Sequence, residues 1–260
     1  MSTAALPARS RATLGPALAW LGLAAAGFLL WFVLDARLAR DLLDWLPYLA
    51  SGFAMNILIS VLAMGAGTLA GVMLGAMELS ASRLVRAPAV AYVQVFRNAP
   101  HLVLIFATTY IFPFEIVVAG NYLPFPDWLK AVFGLAIPAS AYVAEIVRGA
   151  IQSVPTTQWD AAKGVGMSRG QTLRWIILPQ CLRRALPPWM NLYASITMST
   201  ALASLVGVHE LLHAATDAST AVRRDDFTIA VYLTVLAAFL LFCFPISRLT
   251  RRLERRLAPR

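Results

Sequence analysis

Runs of roughly twenty predominantly apolar residues recur along this chain, and no other feature limits its folding so severely. A helix of that length crosses about 30 Å of hydrocarbon. A chain that repeats it must fold with lipid as one of its solvents. Six such runs are read: Leu14–Leu34, Tyr48–Met77, Val90–Phe114, Trp128–Ile151, Leu186–Val208 and Phe227–Ile246. Only 13% of the 260 residues are charged, about half the fraction of a soluble domain. The expected fold class is all-α, a polytopic membrane helix bundle of six transmembrane helices with a hydrophilic insert between the fourth and fifth.

Two of the runs carry interruptions. The second and third are expected to be tilted or broken, because Arg97-Asn98-Ala99-Pro100 falls inside the third. Lipid-exposed backbone cannot leave its hydrogen bonds unmade, so such a break must face protein or water. The first run follows Arg9 and Arg11, as a cleaved leader would. Its uncharged length exceeds that of a leader core, and Leu14–Leu34 reads as a retained helix with cleavage as the alternative.

Charge orients the crossings. Arg9 and Arg11 precede the first run, and acids outnumber bases between the first and second (Asp35, Asp41, Asp44 against Arg37, Arg40). Bases lead again through Arg83, Arg86 and Arg97, acids lead at Glu115 and Asp127, and Glu145–Arg184 is strongly basic. Glu210, Asp217, Asp225 and Asp226 restore the acidic sign before the arginine-rich tail from Arg248. Basic segments stay inside, so both termini and the insert are expected in the cytoplasm. The net charge of +9 is explained by that bias and by contact of the tail with anionic lipid. It does not call for nucleic acid. Cys181 on the cytoplasmic side and Cys243 in the last run do not suggest a structural disulfide.

The insert, Gln158 to Gln180, is built from local signals. Pro155 stops the fourth run. Thr157-x-x-Asp160 has capping-box spacing, and a short helix through Ala161 and Ala162 can leave through Gly164 or Gly166 by a left-handed residue. Ser168-x-x-Gln171 offers a second capping box before Pro179 ends the insert. Two short helices joined by a glycine elbow are expected, with docking to another protein and rest on the membrane surface both open.

The same residues resemble a known family. Asp160-Ala161-Ala162, then Gly166, then Ile176-x-Leu178-Pro179 is similar to the "EAA" loop of ABC importer permeases, with Asp for the usual Glu. Ala141 to Gly149, Gln152-Ser153-Val154-Pro155, Phe96 to Pro100, Ser204 to Val208 with Glu210-Leu211, and Leu253 to Arg256 resemble the polar amino acid subfamily (histidine- and glutamine-type permeases). The resemblance covers roughly residues 50–256. It implies an importer transmembrane domain over 36–260, with residues 1–35 as a cytoplasmic segment and an added helix. The chain would pair with itself or a sibling so that a pathway forms between two copies. Residues 155–179, through Asp160, Ala161, Ala162, Gly164, Gly166, Ile176, Leu178 and Pro179, would be the coupling helix and its frame, seated on a separate ATPase subunit. A substrate-binding protein would dock outside, and the location would be the bacterial inner membrane. No G-x-x-x-x-G-K-[ST] occurs in the chain, so ATP is assigned to the partner and no cofactor to this subunit. The departures are Arg97-Asn98-Ala99-Pro100 where the family reads Arg-Gly-Thr-Pro, Met198 for a Lys, Thr200-Ala201-Leu202 for Thr-Ser-Leu, and Asn56 for a Thr. They bear on the substrate (an amino acid, or an opine, ectoine or betaine) and not on the fold.

Polar groups at depth complete the candidates. Asn56, Arg97, Glu145, Asn191, Ser195, Thr197, Ser199 and Thr200 are read as lining the pathway or as interhelical hydrogen bonds. Glu145 and Arg148, three residues apart on one face, are expected to pair. His209-Glu210-Leu211-Leu212-His213 satisfies H-E-x-x-H, which keeps a membrane zinc protease as the alternative from another class. A third ligand would have to come from Asp217, Asp225 or Asp226.

Overall fold

The computed structural model describes residues 36–118 and 121–257. The expected first span, Leu14–Leu34, lies outside them. The chain divides into two compact units at Leu46/Pro47, and of the first only Ala36–Leu46 is described, as the start of a helix. That helix, α1 (Ala36–Glu78), contains Pro47. Then follow α2 (Arg83–Arg97), α3 (His101–Ile111), a hairpin of β1 (Glu115–Val118) and β2 (Asn121–Pro124), and α4 (Asp127–Gln152). The insert holds α5 (Thr156–Gly164) and α6 (Arg169–Thr172). A π-turn over Leu173–Ile177 leads into α7 (Leu178–Ser199), and a 3₁₀ stretch over Thr200–Val206 precedes α8 (Leu211–Val222) and α9 (Asp225–Leu257).

Among the described residues, α1, α4 and α9 are long and apolar enough to cross a membrane. The break expected in the third run is present: within Val90–Phe114, α2 and α3 meet at 108°, whereas the second run stays within the single helix α1. Pro100 forces its predecessor out of helical geometry, and Asn98 closes α2 by donating its backbone N–H to Val95 and its Nδ2 to Gln94 O at 2.7 Å. Leu186–Val208 likewise runs on into α8 through a 50° bend, where Gly207 takes φ +85°. Counting each bent pair as one crossing gives five, matching the five expected after the first.

α4 is the central helix, since 67% of its apolar window is buried against 22% for α9. Its Ala131, Leu135 and Ala139 join Ile59, Ala63 and Met64 of α1, Ile105 of α3 and Ile196 of α7 in the main core. α1 approaches α4 through Gly67, Gly71 and Gly75, where an added Cβ would lie 2.6–2.9 Å from α4 atoms. Small residues are what allow such contact in a membrane bundle. α9 packs on α1 and α7 with aromatic edges, Phe53 lying 5.7 Å from Phe239 and 5.9 Å from Phe242. Cys181 and Cys243 are both free and buried.

The hairpin was not expected from the sequence. It pairs Glu115 with Pro124 in antiparallel register, and Phe125 donates its N–H to Phe114 O at 2.8 Å to close it. Beneath it Lys130, wholly buried, places Nζ 2.9 Å from Asp127 Oδ1 and 3.8 Å from the Phe114 ring centroid. A buried ammonium needs both partners.

Candidate functional site

The insert is held to the bundle by its own small core. Ala150, Val154, Ile177 and Cys181 are buried together, with Trp159, Leu173 and Ile176 packed against them. Arg184 adds hydrogen bonds to Ser153 O and Oγ, and Gln180 joins Gln158. α5 begins at Thr156 with Pro155 as its N-cap and no side-chain cap. The expected Thr157–Asp160 capping box is therefore absent. Pro155, with φ fixed at −57°, starts the helix two residues early and places Thr157 inside its first turn.

The exit goes through Gly166, not Gly164, which remains helical. Gly166 has φ +81°, its N–H donates to Lys163 O at 3.0 Å, and the Met167 N–H reaches Ala162 O at 3.1 Å. These two bonds make a Schellman cap. Ser168 then forms the expected capping box: Gln171 N donates to Ser168 Oγ (3.3 Å), and Ser168 N donates to Gln171 Oε1 (2.8 Å). Pro179 has no N–H for the carbonyl four residues back, and the helix widens into a π-turn just before it. Ala162 is buried and Ile177 seals the base, while Asp160, Ala161, Gly164 and Val165 (77% exposed) form an open face. Leu178 is 40% exposed.

Above the insert lies a charged cluster. Arg148 pairs with Glu145, as expected, and also donates to Gln152 Oε1 at 2.9 Å. Arg97, the last residue of α2, stands 3.5 Å from Glu145. Glu78 closes the group: its Oε2 accepts no hydrogen bond, and Arg148 Nε is 3.8 Å away. A cleft of about 400 Å³, lined by Glu145, Ile146, Gly149, Ser153, Arg184 and Pro188 among others, opens beside it. Glu78 was missed from the sequence because an acid at a helix end carries no signal of a partner seventy residues on.

The other polar candidates separate into two sets. Asn191 and Ser195 are exposed on α7, continuing a stripe through Arg184, Pro188 and Met198, and Ser199 lies 2.9 Å from His101 Nδ1. Asn56, Thr197 and Thr200 are wholly buried. Asn56 Nδ2 donates to Thr200 Oγ1 (2.9 Å) and Glu210 Oε2 (2.7 Å), and its Oδ1 accepts the Leu211 N–H (3.0 Å). Glu210 Oε1 in turn accepts the His213 N–H at 2.9 Å and caps α8. Asn56→Leu should therefore leave a buried carboxylate and an amide short of partners, costing about 2 kcal/mol. Heating the purified chain in detergent reads this as a lower unfolding midpoint. An unchanged midpoint would mean the three-way lock does not form.

This geometry removes the protease reading. Glu210 is wholly buried and committed to Asn56 and to its helix, so it cannot serve as a general base for a bound water. His209 precedes α8, and no group of three His, Cys, Asp or Glu side chains among the described residues is arranged to hold a metal.

Residues 67–259 match the family of binding-protein-dependent transport system inner membrane components. The chain belongs to that family. It is 36% identical to a probable amino-acid ABC transporter permease, YckA of Bacillus subtilis, over 70% of this chain and 76% of that one. The L-cystine transport system permease TcyB of Bacillus subtilis is 32% identical over 81% and 87%. The nopaline permease NocM of Agrobacterium fabrum is 31% identical over 82% and 89%. Among solved structures, an amino acid ABC transporter aligns at TM-score 0.72 and 26% identity, covering 84% of this chain and 97% of that one. The subunit is thus a multi-pass membrane permease of an ABC transporter of the amino-acid type, acting with an ATPase partner.

Proposed function

We propose that this permease imports a polar amino acid or a related zwitterion such as an opine, and that two permease subunits enclose the pathway along their α7 helices. The observation that carries this is the exposed α7 stripe, Arg184, Pro188, Asn191, Ser195 and Met198. Its alternating steps of four and three residues give a seam that a facing helix can follow. The seam runs into the cleft beside Arg97 and Glu145, where a cation and a carboxylate 3.5 Å apart match the two ends of a zwitterion. Relatives named for cystine, glutamine and nopaline support the same class.

In this reading Arg97, Glu145, Asn191, Ser195 and Ser199 face the pathway, while Asn56, Thr197 and Thr200 hold its walls. ATP is hydrolysed on the separate ATPase, this chain binds no cofactor, and a binding protein delivers substrate from outside. Both termini and the coupling loop face the cytoplasm, in keeping with the basic bias of those segments.

The test is uptake into vesicles holding the permease, its ATPase and its binding protein, with glutamine, cystine, nopaline and maltose offered in turn. ATP-dependent accumulation of one or more of the three zwitterions is expected, reduced at least tenfold by Glu145→Gln, since a lost charged contact is worth about 1.5–3 kcal/mol. Accumulation of maltose alone would overturn the assignment.

A further inference from the structure

Two clefts at the foot of the insert share a wall. One, of about 480 Å³, is lined by Trp159, Asp160, Lys163, Met167, Arg169 and Thr172. The second, also about 480 Å³, takes Trp159 and Arg169 from its other side and adds Ala76, Leu79, Ile151 and Leu173. Both lie in the size range of small-ligand clefts, about 300–1,000 Å³. The first is polar, with two cations against one carboxylate, and neither Lys163 nor Arg169 is in an ion pair among the described residues. The second is apolar. A ligand filling both must carry negative charge at one end and an aliphatic body at the other.

The surroundings select the source. The apolar cleft opens where α1 and α4 end, and the same end of the bundle exposes Leu84 (90%), Leu182 (70%) and Trp175 (67%). Arg174 lies over the Trp175 ring at 5.4 Å. Aromatic rings and basic side chains beside bare leucines are the fringe of a helix bundle at the headgroup level of a bilayer.

We propose that the joined clefts bind an anionic phospholipid of the surrounding leaflet. Its phosphate sits against Lys163 and Arg169, and an acyl chain follows Ala76, Leu79, Ile151 and Leu173. The site rests on the reading of this insert as the coupling loop only for its consequence. The lipid braces α5 from the membrane side and leaves the open face of Ala161, Gly164 and Val165 to the ATPase.

The test is native mass spectrometry of the complete transporter, ATPase included, with phosphatidylglycerol or phosphatidylcholine added at equal concentration. Wild type should retain phosphatidylglycerol preferentially. The double variant Lys163→Gln/Arg169→Gln should bind it about 30-fold more weakly, the loss expected from two surface cations at about 1 kcal/mol each. Lys163→Arg/Arg169→Lys should restore it. Equal retention by wild type and the neutral variant, or no preference over phosphatidylcholine, overturns the site. Full displacement by inorganic phosphate would assign the clefts to a free anion and overturn the lipid. Retention of the ATPase subunit is read separately in the same spectra, so a failure of the coupling-loop reading shows there and not in the lipid adducts.

Discussion

Replacing Gly71 by leucine should cost the bundle about 3 kcal/mol or more and leave little folded subunit after mild heating in detergent. An added Cβ at this position lies 2.6 Å from Ser140 O and 2.6 Å from Val143 Cβ. One of those neighbours is backbone of the central helix and cannot rotate away. Overpacking typically costs 1–3 kcal/mol, and more where the obstacle is rigid. Gly67 and Gly75 meet α4 in the same way, at 2.7 Å from Ala139 Cβ and 2.9 Å from Ala144 O, so α1 cannot slide to relieve the strain. Gly65 is the control. Nothing lies within 4 Å of its added Cβ, and Gly65→Ala should stabilise by about 0.5–1 kcal/mol through helix propensity alone. Equal unfolding midpoints for Gly71→Leu and wild type would show that α1 and α4 do not pack through this seam.

How much of this was legible depended on the range over which each signal acts. Local rules worked. Pro100 broke the third apolar run where it had to, and Ser168 with Gln171 formed the capping box that their spacing announced. The angle of 108° between α2 and α3 was not legible, because it is set by packing on α4 and not by the four residues of the break. Thr157 and Asp160 had the right spacing for a cap, yet Pro155 took the position first. The hairpin had a signal, the β-branched run Ile116-Val117-Val118 followed by a glycine two residues on, that the surrounding apolar segments obscured.

The polar residues show the same limit more sharply. H-E-x-x-H is a local pattern whose chemistry depends on where the Glu points. Glu210 points inward to Asn56, 154 residues earlier in the chain, and is spent as a helix cap and a buried acceptor. Asn56 could equally have faced a pathway. A single sequence shows that a polar group is at depth, but its partner determines whether it is a wall or a lining. The Arg97–Glu145 contact combines both ranges: Glu145 was expected to hold Arg148, and the break at Pro100 then brings Arg97 to it as well.

Gly166→Val should abolish transport while leaving the subunit in the membrane at normal level. The backbone at Gly166 sits at φ +81°, where a β-branched residue costs on the order of 1–3 kcal/mol. No atom lies within 4 Å of its added Cβ, so the penalty is conformational and confined to the elbow. The least costly escape is to give up the left-handed turn. That breaks the bonds from Gly166 N to Lys163 O and from Met167 N to Ala162 O and re-aims α5, nine residues long and too short to hold its own direction. The small core under it, anchored by Ile177 and Val154, belongs to the ends of α4 and α7 and survives. In the proposed seating of α5 on the ATPase, the open face of Asp160, Ala161 and Val165 is then presented at the wrong angle. Pull-down of the ATPase from membranes should fall at least tenfold, and hydrolysis in vesicles should no longer rise when loaded binding protein is added. Gly166→Asn, a residue that tolerates the left-handed region, should recover both. A Gly166→Val transporter that assembles and turns over as wild type would show that the direction of α5 does not transmit the power stroke.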